Sequence, residues 1–193
     1  MKKIAIFASG NGTNAQRIAE YFSDKKNIDI SIILSNKKDA YVLQRAENLD
    51  IPAYSFNRDE FYKTDIVLKK LKNNKIDLIV LAGFLWLVPD NILKEYNRRI
   101  INIHPALLPK YGGKGMYGAK VHEAVIEAND PETGISIHYV NEKYDEGEII
   151  FQAKIPVEKH DTSDSIAPKV HQLEYEHFPR VIEEILMERN GMF

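Results

Sequence analysis

The sequence predicts an α/β fold: a single doubly wound, Rossmann-like domain over residues 1–193. It has a mostly parallel sheet, mixed strands towards the C-terminal end and a long C-terminal helix. Three observations carry this expectation. Short unbroken apolar runs at residues 4–8, 30–34, 76–81 and 100–104 alternate with stretches of helical spacing. Unbroken strands are those buried on both faces, which is what crossover helices on each side of a parallel sheet produce. The first apolar run also leads straight into Ser9-Gly10-Asn11-Gly12, a glycine turn placed between strand and helix.

Each element follows in order. After the run at residues 4–8, Ala15, Ile18, Ala19 and Phe22 recur on one helical face. Residues 30–34 read as a second strand, 40–48 as a helix and 52–56 as a short extended segment. Thr64, Val67, Leu68 and Leu71 mark a further helix before the strand at 76–81. Residues 89–96 read as a short helix opening on Pro89, where a missing amide hydrogen costs little. The strand at 100–104 ends at Pro105, and the proline and glycines of residues 107–118 make a long ordered loop of the kind that serves a site. Val121, Ala124, Val125 and Ala128 mark a helix, and residues 135–140 and 149–157 read as strands around a turn at Asp145-Glu146-Gly147. The final helix is expected from about 165 to 189, with Pro168 in its first turn and a kink at Pro179.

Composition narrows the function. With 193 residues, 44% hydrophobic and 28% charged, the chain can enclose a core and still carry a cleft. Its 26 basic and 28 acidic residues leave a net charge of -2 spread along the chain, which argues against a nucleic-acid backbone as partner. The absence of cysteine removes disulfides, thiolate metal sites and thiol nucleophiles, and agrees with a reducing, cytoplasmic location. No apolar run approaches the roughly 20 residues of a membrane-spanning helix, and the N-terminal one is too short for a signal peptide. A soluble protein acting on small molecules, as monomer or homodimer, is expected.

Three constellations could carry chemistry. The turn Ser9-Gly10-Asn11-Gly12-Thr13-Asn14 places free helix amides where an anion can sit, or it is only a sterically required turn. Its spacing meets the loose G-x-G-x-x-A dinucleotide fingerprint, but the second strand ends in Ser35-Asn36, with no acidic residue to hold a ribose hydroxyl, which disfavours NAD. Asn102 and His104 lie two apart on one strand and so share a face, opposite Ile101 and Ile103. At the carboxyl end of a parallel strand this makes His104 the best catalytic candidate. Asp145 is by local sequence an ordinary turn residue, unless the fold brings it to His104, where it would favour the protonated ring and accept protons. His122, His138, His160, His171 and His177 show no zinc-ligand spacing, so no metal is expected. His171 and Glu174 fall one helical turn apart.

Together these residues resemble the folate-dependent formyltransferases, and among them the glycinamide ribonucleotide formyltransferases, over nearly the whole chain. Ser9 to Asn14 is similar to that family's phosphate loop and Leu81-Ala82-Gly83-Phe84 to its folate-side strand. Asn102-Ile103-His104-Pro105 and Leu107-Leu108-Pro109-Lys110-Tyr111 resemble its catalytic strand and loop, and residues 134–147 its aspartate-bearing segment. The resemblance implies the formyltransferase fold, 10-formyltetrahydrofolate as cosubstrate, no metal, and a formyl group passed to the amine of 5-phosphoribosylglycinamide in purine synthesis. It implies that Asn102, His104 and Asp145 are catalytic and that Gly12, Thr13, Asn14, His171 and Glu174 bind the ribonucleotide. Arg58, Leu85, Trp86, Leu87, Val88, Asn102, Asn141, Glu142, Lys143, Tyr144 and Asp145 would face the folate. The N-terminal half would then bind the ribonucleotide phosphate, and the C-terminal half would bind folate and carry catalysis.

Two features depart from the family pattern: Trp86 stands where a basic residue is expected, and residues 113–118 lengthen the loop. The Asn-x-His-Pro and Leu-Leu-Pro elements also resemble tRNA-directed formyltransferases, which carry a further C-terminal domain, and formyltetrahydrofolate deformylases, which carry a domain before the glycine loop. Here the loop begins at residue 9. The rival readings are hydrolysis of the formyl-folate at the same site, and a non-catalytic nucleotide-binding module using only the glycine cradle.

Overall fold

The computed structural model describes residues 1–188. Its seven-stranded sheet has the order β3-β2-β1-β4-β5-β6-β7. The strands are β1 (Lys2–Phe7), β2 (Ile28–Ser35), β3 (Ala53–Ser55), β4 (Leu78–Leu81), β5 (Ile100–His104), β6 (Glu132–Tyr139) and β7 (Ile149–Pro156). The first five pair in parallel; β6 runs antiparallel to β5, and β7 to β6. The expected mixed C-terminal part is thus the β5–β6–β7 edge, and the short extended segment is a parallel edge strand.

Strand residues alternate between two cores, as a two-residue side-chain period requires. Ile4, Ile6, Ile33, Val80, Ile101 and Ile137 face one core, closed by α1 (Thr13–Phe22), α2 (Tyr41–Asn48) and α7 (Ser163–Glu188). Ala5, Phe7, Leu34, Ile79, Leu81 and Ile100 face the other, closed by α3 (Arg58–Tyr62), α4 (Ile66–Asn73) and α5 (Asp90–Glu95). Helix α6 (Ala119–Glu127) packs beside α7. Between β1 and β4 the chain changes direction across the sheet, so the carboxyl ends of these strands open a crevice at the switch point. The Ser9 N–H donates to the Gly83 carbonyl at 3.0 Å and joins its two walls.

The structure corrects some local expectations. Thr64 lies in a break between α3 and α4, where its hydroxyl donates to the Glu60 carbonyl at 2.9 Å and accepts from the Ile66 N–H at 3.2 Å. The unanticipated α3 is started by a capping box: the Glu60 N–H donates to Asn57 Oδ1 and the Asn57 N–H to Glu60 Oε2. Pro89 precedes α5 as its N-cap rather than opening it. Helix α7 begins at Ser163, ahead of the expected start near 165, and holds Pro168 and Pro179 within it, its buried Ile166, Val170, Phe178, Ile182 and Ile185 packed into the first core. Arg189, the expected end of this helix, lies outside the described residues. Among the described residues no helix is long and apolar enough to cross a membrane.

Candidate active site

The glycine turn after β1 is built around Gly12. Its φ of 76° is left-handed, and an added Cβ would stand 2.3 Å from Val42 Cγ2 of α2. Only glycine allows α2 to pack this close to the start of α1. No side chain caps α1, so its first-turn amides are available to an anion. Asn14 Nδ2 donates to Glu174 Oε2 at 2.8 Å, and His171 Nδ1 meets the same oxygen at 2.9 Å. Helices α1 and α7 are thereby joined at the cradle. Glu174 is buried; His171 is half exposed, and its hydrogen bond to Glu174 raises its pKa above the ordinary 6.5.

Strand β5 brings Asn102 and His104 to the adjoining position. The antiparallel register sets Asn102 opposite His138 and His104 opposite Ser136. His138 Nδ1 donates to the Tyr139 carbonyl at 2.8 Å, which leaves Nε2 to accept from Asn102 Nδ2 at 3.1 Å. The second Asn102 N–H lies 3.4 Å from Asp145 Oδ1. His104 is 3% exposed; its Nε2–H donates to the Tyr111 carbonyl at 2.7 Å, and its Nδ1 stands 3.5 Å from Asp145 Oδ2. Asp145, in left-handed backbone at φ 56°, also accepts the Gly113 N–H at 2.9 Å. The turn therefore delivers its carboxylate to both β5 side chains, the proximity that local sequence left open.

The charge expected on His104 is corrected. Burial lowers its pKa below 6.5 and outweighs the opposing influence of Asp145 and of the Tyr111 carbonyl. The 3.5 Å gap to Asp145 is also longer than a charge-assisted hydrogen bond. At neutral pH the ring is neutral, with its proton on Nε2 and its Nδ1 lone pair towards Asp145. Burial would raise the Asp145 pKa, but His138, His104 and the Gly113 amide together hold it below the usual value, so the carboxylate is ionised.

The loop at residues 107–118 is fixed to this floor by a buried polar network. Ser136 Oγ donates to the Ala106 carbonyl at 2.7 Å and accepts the Leu108 N–H at 2.9 Å; Gln152 Nε2 donates to Ser136 Oγ at 2.7 Å and to the Leu108 carbonyl at 3.1 Å.

Two cavities meet here. A cleft of about 670 Å³ runs from Gly12, Thr13, Asn14, His171 and Glu174 to Asn102, His104 and Asp145. A smaller one of about 50 Å³ is lined by Trp86, Leu87, Val88 and Lys143 among others. Phe84, Asn102, Tyr144 and Asp145 line both. Leu85 lines the larger cleft, its N–H donating to Ser9 Oγ at 3.0 Å. Arg58 lines neither; its guanidinium stacks 5.8 Å from the Trp86 ring and 5.3 Å from that of Tyr62, which places a cation beside the aromatic edge of the smaller cavity. Asn141 and Glu142 also line neither. Asn141 braces the turn through the Lys143 N–H at 2.9 Å and the Glu146 carbonyl at 3.2 Å, whereas Glu142 is exposed. Each cavity draws on both halves of the chain.

Sequence reasoning gave no individual role to four participants: Tyr111, which it placed in the catalytic loop by resemblance alone, Ser136, His138 hydrogen-bonded to Asn102, and His122. His122 lines the larger cleft, 3% exposed, with a buried Nδ1 that has no partner. The available signal for His138 was its even spacing from Ser136 on a strand; for His122 it was a histidine on the buried face of α6. Among the described residues no cluster of three or more histidine or acidic side chains could hold a metal ion.

The sequence profile of the Formyl transferase family matches residues 2–182. The phosphoribosylglycinamide formyltransferase of Bacillus subtilis (strain 168) is 35% identical over 191 residues, covering 96% of this chain and 95% of that protein. The chloroplastic protein of the same name from Arabidopsis thaliana is 38% identical across 97% of this chain, which spans only 66% of the plant protein's length. The crystal structure of the phosphoribosylglycinamide formyltransferase from Streptococcus pneumoniae TIGR4 superposes with a TM-score of 0.85 at 37% identity, over 96% of this chain and 99% of that one.

Proposed function

Because the chain belongs to the formyl transferase family, we propose that it transfers the formyl group of 10-formyltetrahydrofolate to the amine of 5-phosphoribosylglycinamide, giving the formylated ribonucleotide and tetrahydrofolate. The observation that carries this reading is the shared wall. A cleft with an anion cradle at one end and a second, smaller cavity with Phe84, Trp86 and Tyr144 in its lining share Asn102 and Asp145. A two-substrate transfer needs its donor and acceptor to meet beside the same polar groups. The larger cleft, at about 670 Å³, has the size of a small-molecule site.

In this reading the phosphate sits on the α1 amides of Thr13 and Asn14, with His171 adding positive charge and Glu174 accepting from ribose hydroxyls. Trp86, Leu87, Val88 and Tyr144 face the folate, with Arg58 at its edge. The glycinamide nitrogen attacks the formyl carbon, and the carbonyl electron pair moves onto oxygen. The Asn102 N–H held only loosely, 3.4 Å from Asp145, turns to that oxyanion; such a donor contributes on the order of 3 kcal/mol. His104 Nδ1 takes the proton that the attacking nitrogen loses, and the imidazolium so formed lies beside the Asp145 carboxylate. The proton passes to N10 of the folate as the carbon–N10 bond breaks, which completes the transfer.

The test is the purified protein with both substrates, and mass detection of formylated ribonucleotide. Formate release in the absence of the ribonucleotide at the full rate would identify a hydrolase instead. Ribonucleotide binding without turnover would identify a non-catalytic module.

A further inference from the structure

Tyr111 has an unusual task for an aromatic residue. Its φ of 56° lies in the left-handed region, which a side chain with a Cβ adopts only where its surroundings hold it there. In that conformation its carbonyl accepts from His104 Nε2 at 2.7 Å, while its hydroxyl reaches the other way and donates to Asp130 Oδ2 at 2.7 Å. Asp130 lies on the turn between α6 and β6 and also binds the neighbouring Lys110 Nζ through both oxygens at 3.0 Å. Two residues beyond Tyr111, the Gly113 N–H holds Asp145 at 2.9 Å. The stretch 111–113 thus ties together both members of the His104–Asp145 pair through its backbone. On its N-terminal side Leu108 is pinned to Ser136; between these points Asp130 fixes the loop from outside.

We propose that Asp130 is a positioning residue for catalysis: by holding Tyr111 it keeps the Tyr111 carbonyl on His104 Nε2, and so selects the tautomer whose Nδ1 is free to take the substrate's proton. The chain of contacts is short and complete. Asp130 holds the Tyr111 hydroxyl, Tyr111 holds its strained backbone, and that backbone carbonyl holds the His104 proton on Nε2. A partner on one ring nitrogen decides what the other can do. Asp130 lines neither of the two cavities, so an effect of it on the site has to be transmitted, and the Tyr111 hydroxyl is its contact with the residue that touches His104. The hydroxyl is a dependable donor, since its hydrogen bond to Asp130 and its partial burial push the Tyr111 pKa up to about 12.

The inference rests on the formyl-transfer reading for its kinetic consequence but not for its structural one, and the experiment separates the two. Asp130→Ala, Asp130→Asn, Tyr111→Phe and the double variant Asp130→Ala/Tyr111→Phe are compared with the wild-type chain by steady-state kinetics and by ¹⁵N NMR of the His104 imidazole. Asp130→Ala is expected to lower kcat about tenfold, the scale of one charge-assisted hydrogen bond, with both KM values within about twofold. Asp130→Asn retains most of kcat, because its amide oxygen still accepts from the Tyr111 hydroxyl. Tyr111→Phe matches Asp130→Ala, and the double variant is no worse than either single one, as partners in one link require. The His104 spectrum changes from a single Nε2-protonated form to a mixture of tautomers in the alanine variant. The proposal is overturned if Asp130→Ala leaves the spectrum and kcat as in wild type while only lowering Tm, or if the two single losses add. Should the wild-type chain not formylate the ribonucleotide at all, the functional reading fails, and the tautomer measurement still decides the role of Asp130.

Discussion

Replacing Asp145 with asparagine keeps the shape of the turn and removes one negative charge 3.5 Å from His104 Nδ1. At that separation an ion pair in an effective dielectric of ~20 is worth about 5 kcal/mol, and water entering from the open cleft reduces this to about 2–3 kcal/mol. What is lost is stabilisation of the imidazolium formed when His104 accepts the substrate's proton, so the loss falls on kcat, by about 30- to 150-fold, rather than on either KM. The amide still accepts the Gly113 N–H, and its own N–H can turn towards the Nδ1 lone pair, which favours the neutral ring further. The pH dependence follows from sign. Neutral His104 is the active form, so activity falls as pH drops through its pKa, which burial has already lowered below 6.5. Without the carboxylate that pKa falls again, so the acid limb of kcat should move to lower pH while the plateau sinks. Steady-state rates from about pH 5 to 9 and NMR titration of the His104 ring measure both effects. A kcat within about threefold of wild type, together with an unmoved titration, would refute the dyad and return Asp145 to the role of a turn residue.

Other perturbations separate binding from chemistry. Asn14→Ala removes the hydrogen bond to Glu174 at 2.8 Å and should raise the KM for the ribonucleotide about tenfold with little change in that for folate; equal increases in both would contradict the cradle assignment. Protonated His171 should favour phosphate binding. Since Glu174 raises its pKa, that contribution is fully present below the ordinary 6.5 and is lost as pH rises through the raised value. Ribonucleotide affinity by calorimetry should therefore weaken on the alkaline side, and the dependence should flatten in His171→Ala. Gly12→Val imposes a branched side chain on left-handed backbone, with its Cβ 2.3 Å from Val42 Cγ2. It should cost roughly 2–4 kcal/mol of stability by denaturant unfolding as well as abolish ribonucleotide binding, and a variant as stable as wild type would show that α2 can move away. His104→Ala should reduce kcat more than 100-fold with an unchanged circular dichroism spectrum, because it removes the base without emptying either core.

Much of this was legible because periodicity reports burial. The unbroken strands announced a sheet covered on both faces, and the two-residue spacing of Asn102 and His104 put them on one side of β5 before any geometry was known. The alliance of Asn14 with His171 and Glu174 came from family resemblance, since no local rule links residues 14 and 174. The protonation of His104 was not legible. Local sequence offers Asp145 as a possible partner but shows neither its proximity nor the depth of burial that opposes it, and here burial wins. The loop holding Tyr111 was legible by resemblance, but the role of Tyr111 was not: its contribution is a backbone carbonyl, which every residue possesses, and only its left-handed conformation makes it special. Nor could sequence show that Ser136 and Gln152, on neighbouring strands, would close the hydrogen-bonding needs of Ala106 and Leu108.

Strand β5 carries one further implication. Ile101 and Ile103 belong to the core under α1 and α7, while Asn102 and His104 point to the site, and the pairing Val80↔Ile101, Leu81↔Asn102 fixes this assignment. A slip of one position along β4 would carry an amide and an imidazole into hydrocarbon and expose two isoleucines where the substrates meet. A misaligned strand would therefore be rejected energetically before it could yield a folded but inactive protein. Quality control of the reaction centre is in this way performed during folding, by the oiliness of the residues in between.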